Sequence, residues 1–241
     1  MAYKTTVPED KCDAPYKISP LELREALGHL CEVRRSNDNN LIFLGRVQGA
    51  DSGALVVWPA GGREAPPVIY NDEFKLILHI PQKPALVCLG NVHGSSRSFW
   101  KLGNLSKCHR KEQRVNFRQP VSLRANALCI NALYPDRPRG SDQYYSRLCK
   151  VVDVSLGGVQ LRSQDRYRSG DHLLLTNLWL DASQSQPFVF TVQICWVQPV
   201  NTVESRFGCF FEPMSIRDED RLCAAILELH TTNLNSRTDE T

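Results

Sequence analysis

Arg110, Arg114 and Arg118 stand at four-residue intervals in the stretch Cys108 to Pro120, with Lys107 and Lys111 beside them. A guanidinium is a planar fork that grips a phosphate, or the O6/N7 edge of guanine, through two parallel hydrogen bonds, and it also stacks on a base face. Asp153 follows 35 residues after Arg118, in Val-Val-Asp153-Val-Ser155-Leu-Gly157-Gly158-Val. Its carboxylate, at the end of an apolar strand, is suited to accept from the N1–H and N2 amine of a guanine. Ser155 offers a hydroxyl, Gly157 sits in the turn, and Gly158 removes a side chain where backbone must approach a ligand closely. Each piece has an ordinary reading when taken alone. A basic linker is usually a solvated tether, and Asp, Ser and Gly favour turns for local reasons. Phe117 reads as a packing anchor more than as a base-stacking platform.

Nothing in the sequence points to a reaction on whatever binds there. Ser155 lies in Val-Ser-Leu-Gly-Gly, which lacks the Gly-x-Ser-x-Gly arrangement of a nucleophile elbow. No His-Glu-x-x-His, P-loop or dinucleotide-fold glycine fingerprint occurs. The six histidines show no motif spacing. Cys88 with His93 and Cys108 with His109 come nearest to metal-ligand spacing, and neither has a second pair at a recognisable distance. The sequence therefore predicts no catalytic residue, no metal and no catalytic cofactor.

Charge narrows the class of ligand. The net charge is +3, from 29 basic and 26 acidic residues, too balanced for a protein that coats nucleic acid. Yet from Lys107 to Arg124 there are six Lys or Arg residues against the single acid Glu112. A concentrated basic segment in a near-neutral chain fits a small polyanion better than a long polymer. The nine cysteines are odd in number and scattered, as expected of small apolar residues in a reducing compartment. No apolar run is long enough to span a membrane, and the first ten residues lack the apolar core of a signal peptide. These features predict a cytoplasmic location.

The elements that must position the site read as β-structure. Ser19-Pro20-Leu21-Glu22 has the form of a capping box, and Leu23, Ala26, Leu27 and Leu30 follow at helical spacing, which predicts a short helix over 19–31. The polar residues before it are expected to fray. Strands are expected at 41–47, 54–58, 68–70, 74–80, 85–92 and 98–102, joined by connections too short for helical crossovers. After the basic stretch come strands at 121–133, 148–154, 159–162, 173–180, 188–196 and 206–211. A helix over 215–230 closes the chain, with Ser215 and Asp218 as its cap pair. Trp196 continues the alternation of Phe188, Phe190, Val192 and Ile194 and is expected in the core, as are Trp58 and Trp100. The fold class is thus mostly β: two small antiparallel barrels joined by a basic linker, with a short N-terminal helix and a C-terminal helix. The domains are expected at 1–107 and 108–241, with 108–120 as an arginine arm.

Arg-x-x-x-Arg at Arg114 and Arg118, followed by Asp-x-Ser-x-x-Gly at Asp153, Ser155 and Gly158, resembles the PilZ family of cyclic di-GMP receptors. The resemblance covers about 108–241. It implies that the arginines bind phosphate and guanine, that Asp153 reads a guanine edge, and that the arm folds onto the barrel when ligand binds. Arg110 and Gly157 are secondary candidates beside this set. A β domain ahead of the arm is similar to the layout of YcgR-type flagellar brakes. That implies a change of interdomain arrangement on binding, and action on flagellar motor or switch proteins, with recruitment to the basal body and effects on motility and biofilm. A cyclic di-GMP-responsive transcription regulator, or an adaptor for polysaccharide synthesis or secretion, is the alternative. Against the regulator, the first domain shows no helix-turn-helix pattern and Arg24, Arg34, Arg35 and Arg46 form no stripe. This chain has Gln113 where many relatives carry a basic residue before the first arginine, which bears on whether one ligand or a pair binds. The chain is expected as a monomer or homodimer.

Overall fold

The structure is a computed structural model and describes residues 16–51, 53–80, 83–108, 116–131, 145–180 and 186–238, with side chains to residue 233. Two compact units emerge: residues 1–42, 46–58 and 65–113 make the first, and 43–45, 59–64 and 114–241 the second.

Strands β1 (Tyr16–Lys17), β2 (Leu30–Arg35), β3 (Leu41–Asp51), β4 (Ala54–Pro59), β5 (Glu73–Leu78), β6 (Leu86–Ser95) and β7 (Trp100–Lys107) form the first sheet. Its order is β1-β7-β4-β3-β2-β5-β6, and pairing of β6 with β7 closes six of the strands into a barrel. Alternating Val33, Val47, Leu55, Val57, Leu76, Leu78 and Leu102 fill it, with Trp100 at 1% exposure. The capping box forms as the sequence predicts: Ser19 Oγ accepts from Glu22 N–H at 3.2 Å, and Glu22 accepts from Ser19 N–H at 3.0 Å. Those backbone and side-chain bonds from Ser19 hold the Glu22 carboxyl below its ordinary range. The helix itself, α1 (Pro20–Glu25), is shorter than expected. Gly28 adopts a positive φ of 78°, and the chain turns there into β2, which the sequence reading missed.

The second unit contains β8 (Arg118–Cys129), β9 (Arg147–Ser155), β10 (Gly158–Ser163), β11 (His172–Leu178), β12 (Phe188–Pro199), β13 (Ser205–Phe211) and α2 (Ile216–Thr238). Its six strands close in the order β10-β13-β12-β11-β8-β9. Val151, Val154, Leu161, Leu173, Leu175, Phe188, Phe190, Ile194 and Phe207 make the core. Ser215 caps α2, its Oγ accepting from Asp218 N–H at 3.1 Å. The buried face of α2 carries Leu222, Ala225 and Ile226, and Arg221 stacks over the Phe188 ring at 4.6 Å.

Three expectations are corrected. Residues 68–70 are not a strand; Pro66 and Pro67 supply no N–H for a ladder just ahead of them. Trp58 is 48% exposed, not core. Trp196 is 37% exposed, because the register between β12 and β13 shifts between Ile194 and Trp196. One extra residue in a strand turns every later side chain to the other face. Conversely, Cys31, Cys88, Cys149, Cys209 and Cys223 are buried as small apolar groups. Burial, with Cys108 nearby, pushes the Cys88 thiol up to about 12, and burial beside Asp165 pushes Cys149 up to about 11. Both stay protonated at neutral pH and are poor nucleophiles.

Candidate functional site

The β9–β10 turn is the structural centre of the site. Ser155 ends β9 and Gly158 begins β10, leaving Leu156 and Gly157 to turn the chain. Ser155 is 5% exposed, and its hydroxyl donates to the Gly158 carbonyl at 3.1 Å, clipping the turn from inside. The Gly157 carbonyl accepts from Phe211 N–H at 3.1 Å, tying the turn to β13. A Cβ on Gly158 would overlap the Cys209 carbonyl and the Phe210 backbone. Gly158 is therefore required by the close approach of β10 to β13. A Cβ on Gly157 would meet the side-chain amide of Asn116, which lies directly on the turn.

The described part of the arm reaches this turn from the other side. Phe117 packs edge-on against His230 of α2, with ring centroids 4.9 Å apart, in keeping with an anchoring role. Arg118 then enters β8 opposite Ser155, and Pro120 lies opposite Asp153. Pro120 lies inside β8, which begins at Arg118, two residues before the proline. It sits where the β8–β9 register shifts between Pro120 and Leu123, the kind of place where a strand tolerates proline. A second shift, between Gln160 and Leu161 on the β9–β10 side, flanks the same carboxylate. Irregularities of this kind re-aim side chains next to sites.

The result is a charged pair on the barrel's outer face. Arg118 Nη1 lies 3.8 Å from Asp153 Oδ2, with side chains 43% and 19% exposed. That separation is beyond a hydrogen bond, and ion pairs this open contribute about 0–1 kcal/mol. Arg118 is thus held near Asp153 without spending its donor fork. Of the candidates from sequence, the structure brings together Arg118, Asp153, Ser155, Gly157 and Gly158; Arg110 and Arg114 lie outside the described residues.

One residue that the sequence reading placed elsewhere belongs to this face. Trp196 pairs with Gly208, Gly208 with Gln160, and Gln160 with Asp153, forming one row across four strands. The indole lies over Gly208, where any Cβ would collide with it. Neighbouring strands are about 4.8 Å apart, so Trp196 and Asp153 bound a shelf roughly 14 Å long. An exposed aromatic at one end and an Arg–carboxylate pair at the other can take a planar base and an anion together. The signal in the sequence is Trp196 standing across from Gly208, which shows only once the register is known. Among the described residues, no cluster of three or more His, Cys, Asp or Glu side chains could hold a metal ion.

A family model described as the PilZ domain matches residues 109–228. Among solved structures, the chain is similar to YcgR from Escherichia coli in complex with c-di-GMP, at 12% identity over 93% of this chain and 96% of that one, TM-score 0.40. It is also similar to the Bacillus subtilis inhibitor of motility MotI/DgrA, at 12% identity over 88% and 99%, TM-score 0.39. A third is the K. pneumonia MrkH–c-di-GMP complex, at 11% identity over 90% and 92%, TM-score 0.34. Likenesses of this degree carry no argument about ligand or partner. No curated protein sequence matches the chain.

Proposed function

The second barrel belongs to the PilZ family, and on that premise we propose that the protein is a receptor for cyclic di-GMP. The observation that carries the reading is the Arg118–Asp153 pair: a half-exposed guanidinium and a carboxylate 3.8 Å apart beside the Ser155–Gly158 turn. Arg118, with Arg114 four residues earlier in the sequence, would grip phosphate and the guanine O6/N7 edge. Asp153 would accept from the guanine N1–H and N2 amine. Trp196 would offer a stacking face across the shelf. Ser155 and Gly158 would act by holding the turn, since the hydroxyl is spent on the Gly158 carbonyl and the glycine on β13. Arg110 and Gly157 remain secondary.

The domains are proposed as a YcgR-like barrel over 1–107 and the ligand-binding domain over 108–241. Closure of the 108–120 arm on the ligand would change the arrangement of the two. No helix among the described residues is long and apolar enough to cross a membrane. The output is proposed to be a protein partner in the cytoplasm, the flagellar motor or its switch, where binding curbs motility.

Arg118→Ala tests the site without touching the core. Losing a bidentate charge-assisted contact costs about 2 kcal/mol or more, roughly a 30-fold weaker Kd. Titration calorimetry with cyclic di-GMP reads this directly. An Arg118→Ala protein that binds like wild type would place the ligand elsewhere.

A further inference from the structure

On the outer wall of the second barrel, cations stand in an unbroken cross-strand row. Arg124 of β8 is directly opposite Lys150 of β9, Lys150 opposite Arg162 of β10, and Arg162 opposite Arg206 of β13. Their neighbours along the strands, Ala125, Cys149, Val151, Leu161 and Phe207, are buried in the barrel, so all four charged side chains leave on the outside. Three inter-strand steps give a row roughly 14 Å long. Among the described residues one acid reaches it, Glu204, whose carboxylate accepts from Arg162 Nη2. The Nε atoms of Arg162 and Arg206 are both buried and meet no acceptor.

The fold gives no reason for this arrangement. Like charges directly opposite each other destabilise a sheet, and a buried donor without an acceptor carries an uncompensated desolvation cost. An anion laid along the row relieves the repulsion. There is room over three of the four cations: Ser122, Arg124, Lys150, Arg162, Gln164 and Glu204 line a groove of about 590 Å³, within the range of small-molecule sites. Charge this concentrated, presented mainly by guanidinium forks, matches linked phosphates, whose paired oxygens take two parallel hydrogen bonds. A net charge of +3 and a pI near 8.4 are not those of a protein built to track a nucleic-acid polymer.

We infer that this row is a second ligand site, for an oligophosphate of two or more linked phosphates, as an inorganic chain or as the tail of a nucleotide. It shares no residue with the cyclic di-GMP shelf but lies beside it on the same outer face: Arg162 is two residues from Gln160 along β10, about 7 Å, and Lys150 three residues from Asp153 along β9, about 10 Å.

The test is calorimetric titration of the full-length protein with inorganic tripolyphosphate and, separately, with GTP, at low and high salt. Saturable binding that weakens as salt rises is expected. Arg124→Ala combined with Lys150→Ala should weaken it at least tenfold and leave cyclic di-GMP binding intact, whereas Arg118→Ala should leave it within twofold. Equal binding of both probes identifies an inorganic chain as sufficient; binding of GTP alone, lost in the double variant, identifies a nucleotide. No binding of either probe, indifference to the double variant, or loss in Arg118→Ala overturns the proposal. A wild type that binds tripolyphosphate but not cyclic di-GMP would leave this site standing and remove the receptor reading instead. A second readout needs no ligand. Lys150→Gln should raise Tm by about 2 °C at low salt, by relieving the cross-strand repulsion. An unchanged or lower Tm would remove the repulsion from which the site is argued.

Discussion

Gly158→Ala is expected to destabilise the second barrel by about 4 kcal/mol, at the upper end of single-substitution effects. The added methyl has nowhere to go. It meets the Cys209 carbonyl and the Phe210 backbone, and Gly158 and Phe210 are register partners in the β10–β13 ladder that helps close the barrel. Backbone cannot swing aside as a side chain can, so the ladder must part. Gly157→Ala is the matched control: its methyl meets only the end of the Asn116 side chain, which can rotate away, and its cost should stay below about 1 kcal/mol. For a domain of this size 1 kcal/mol shifts Tm by about 4 °C, so thermal melts separate the two. A Gly158→Ala protein that melts with wild type would mean that the two strands do not approach this closely. The same result explains why loss of ligand binding in Gly158→Ala says nothing about contact with the ligand.

The second large effect lies in the first barrel. Glu32 is fully buried and Arg34 is 3% exposed, and both Nε and Nη2 of Arg34 donate to Glu32 Oε2. The other carboxylate oxygen lies 3.2 Å from His79 Nε2. Replacing such a pair with apolar residues can be nearly neutral, but removing one partner costs about 3–5 kcal/mol because a charge stays behind in the interior. Glu32→Ala should therefore lower the stability of the first barrel by about 3 kcal/mol or more. Glu32→Leu combined with Arg34→Met should recover most of that loss. Denaturant melts of Glu32→Leu, Arg34→Met and their combination form the cycle, and an additive result would show that the pair is not coupled.

This pair also shows where the sequence was hardest to read. Leu30-Cys-Glu-Val-Arg-Arg35 forms β2, with Cys31 and Val33 buried on one face and Glu32 and Arg34 buried on the other. Cys31, Glu32, Val33 and Arg34 alternate for only four residues, and the capped start at Ser19 suggested a helix over 19–31 that covers the start of this strand. In the second barrel, Phe188 to Ile194 and Leu173 to Leu175 alternate or run apolar without charged interruption, and the strands there were legible. The alternation failed at Trp196 because an irregularity in strand pairing cannot be seen in one strand's sequence. Arg118 and Asp153 could be named as candidates from their residue types and motif order. Their separation of 3.8 Å depends on β8 pairing with β9 through an irregular register, which only the folded chain supplies. The row of Arg124, Lys150, Arg162 and Arg206 was invisible for the same reason, since its members are spread over four strands.

The central claim is that the Arg118–Asp153 face receives cyclic di-GMP, and calorimetric titration of the wild-type protein with that ligand tests it most directly. Cyclic di-AMP, which keeps the phosphodiester ring and changes the base, is the control. The account predicts micromolar or tighter binding of cyclic di-GMP, at one or two per chain, with little heat from cyclic di-AMP. No heat and no thermal shift with cyclic di-GMP, or equal binding of both, would contradict it.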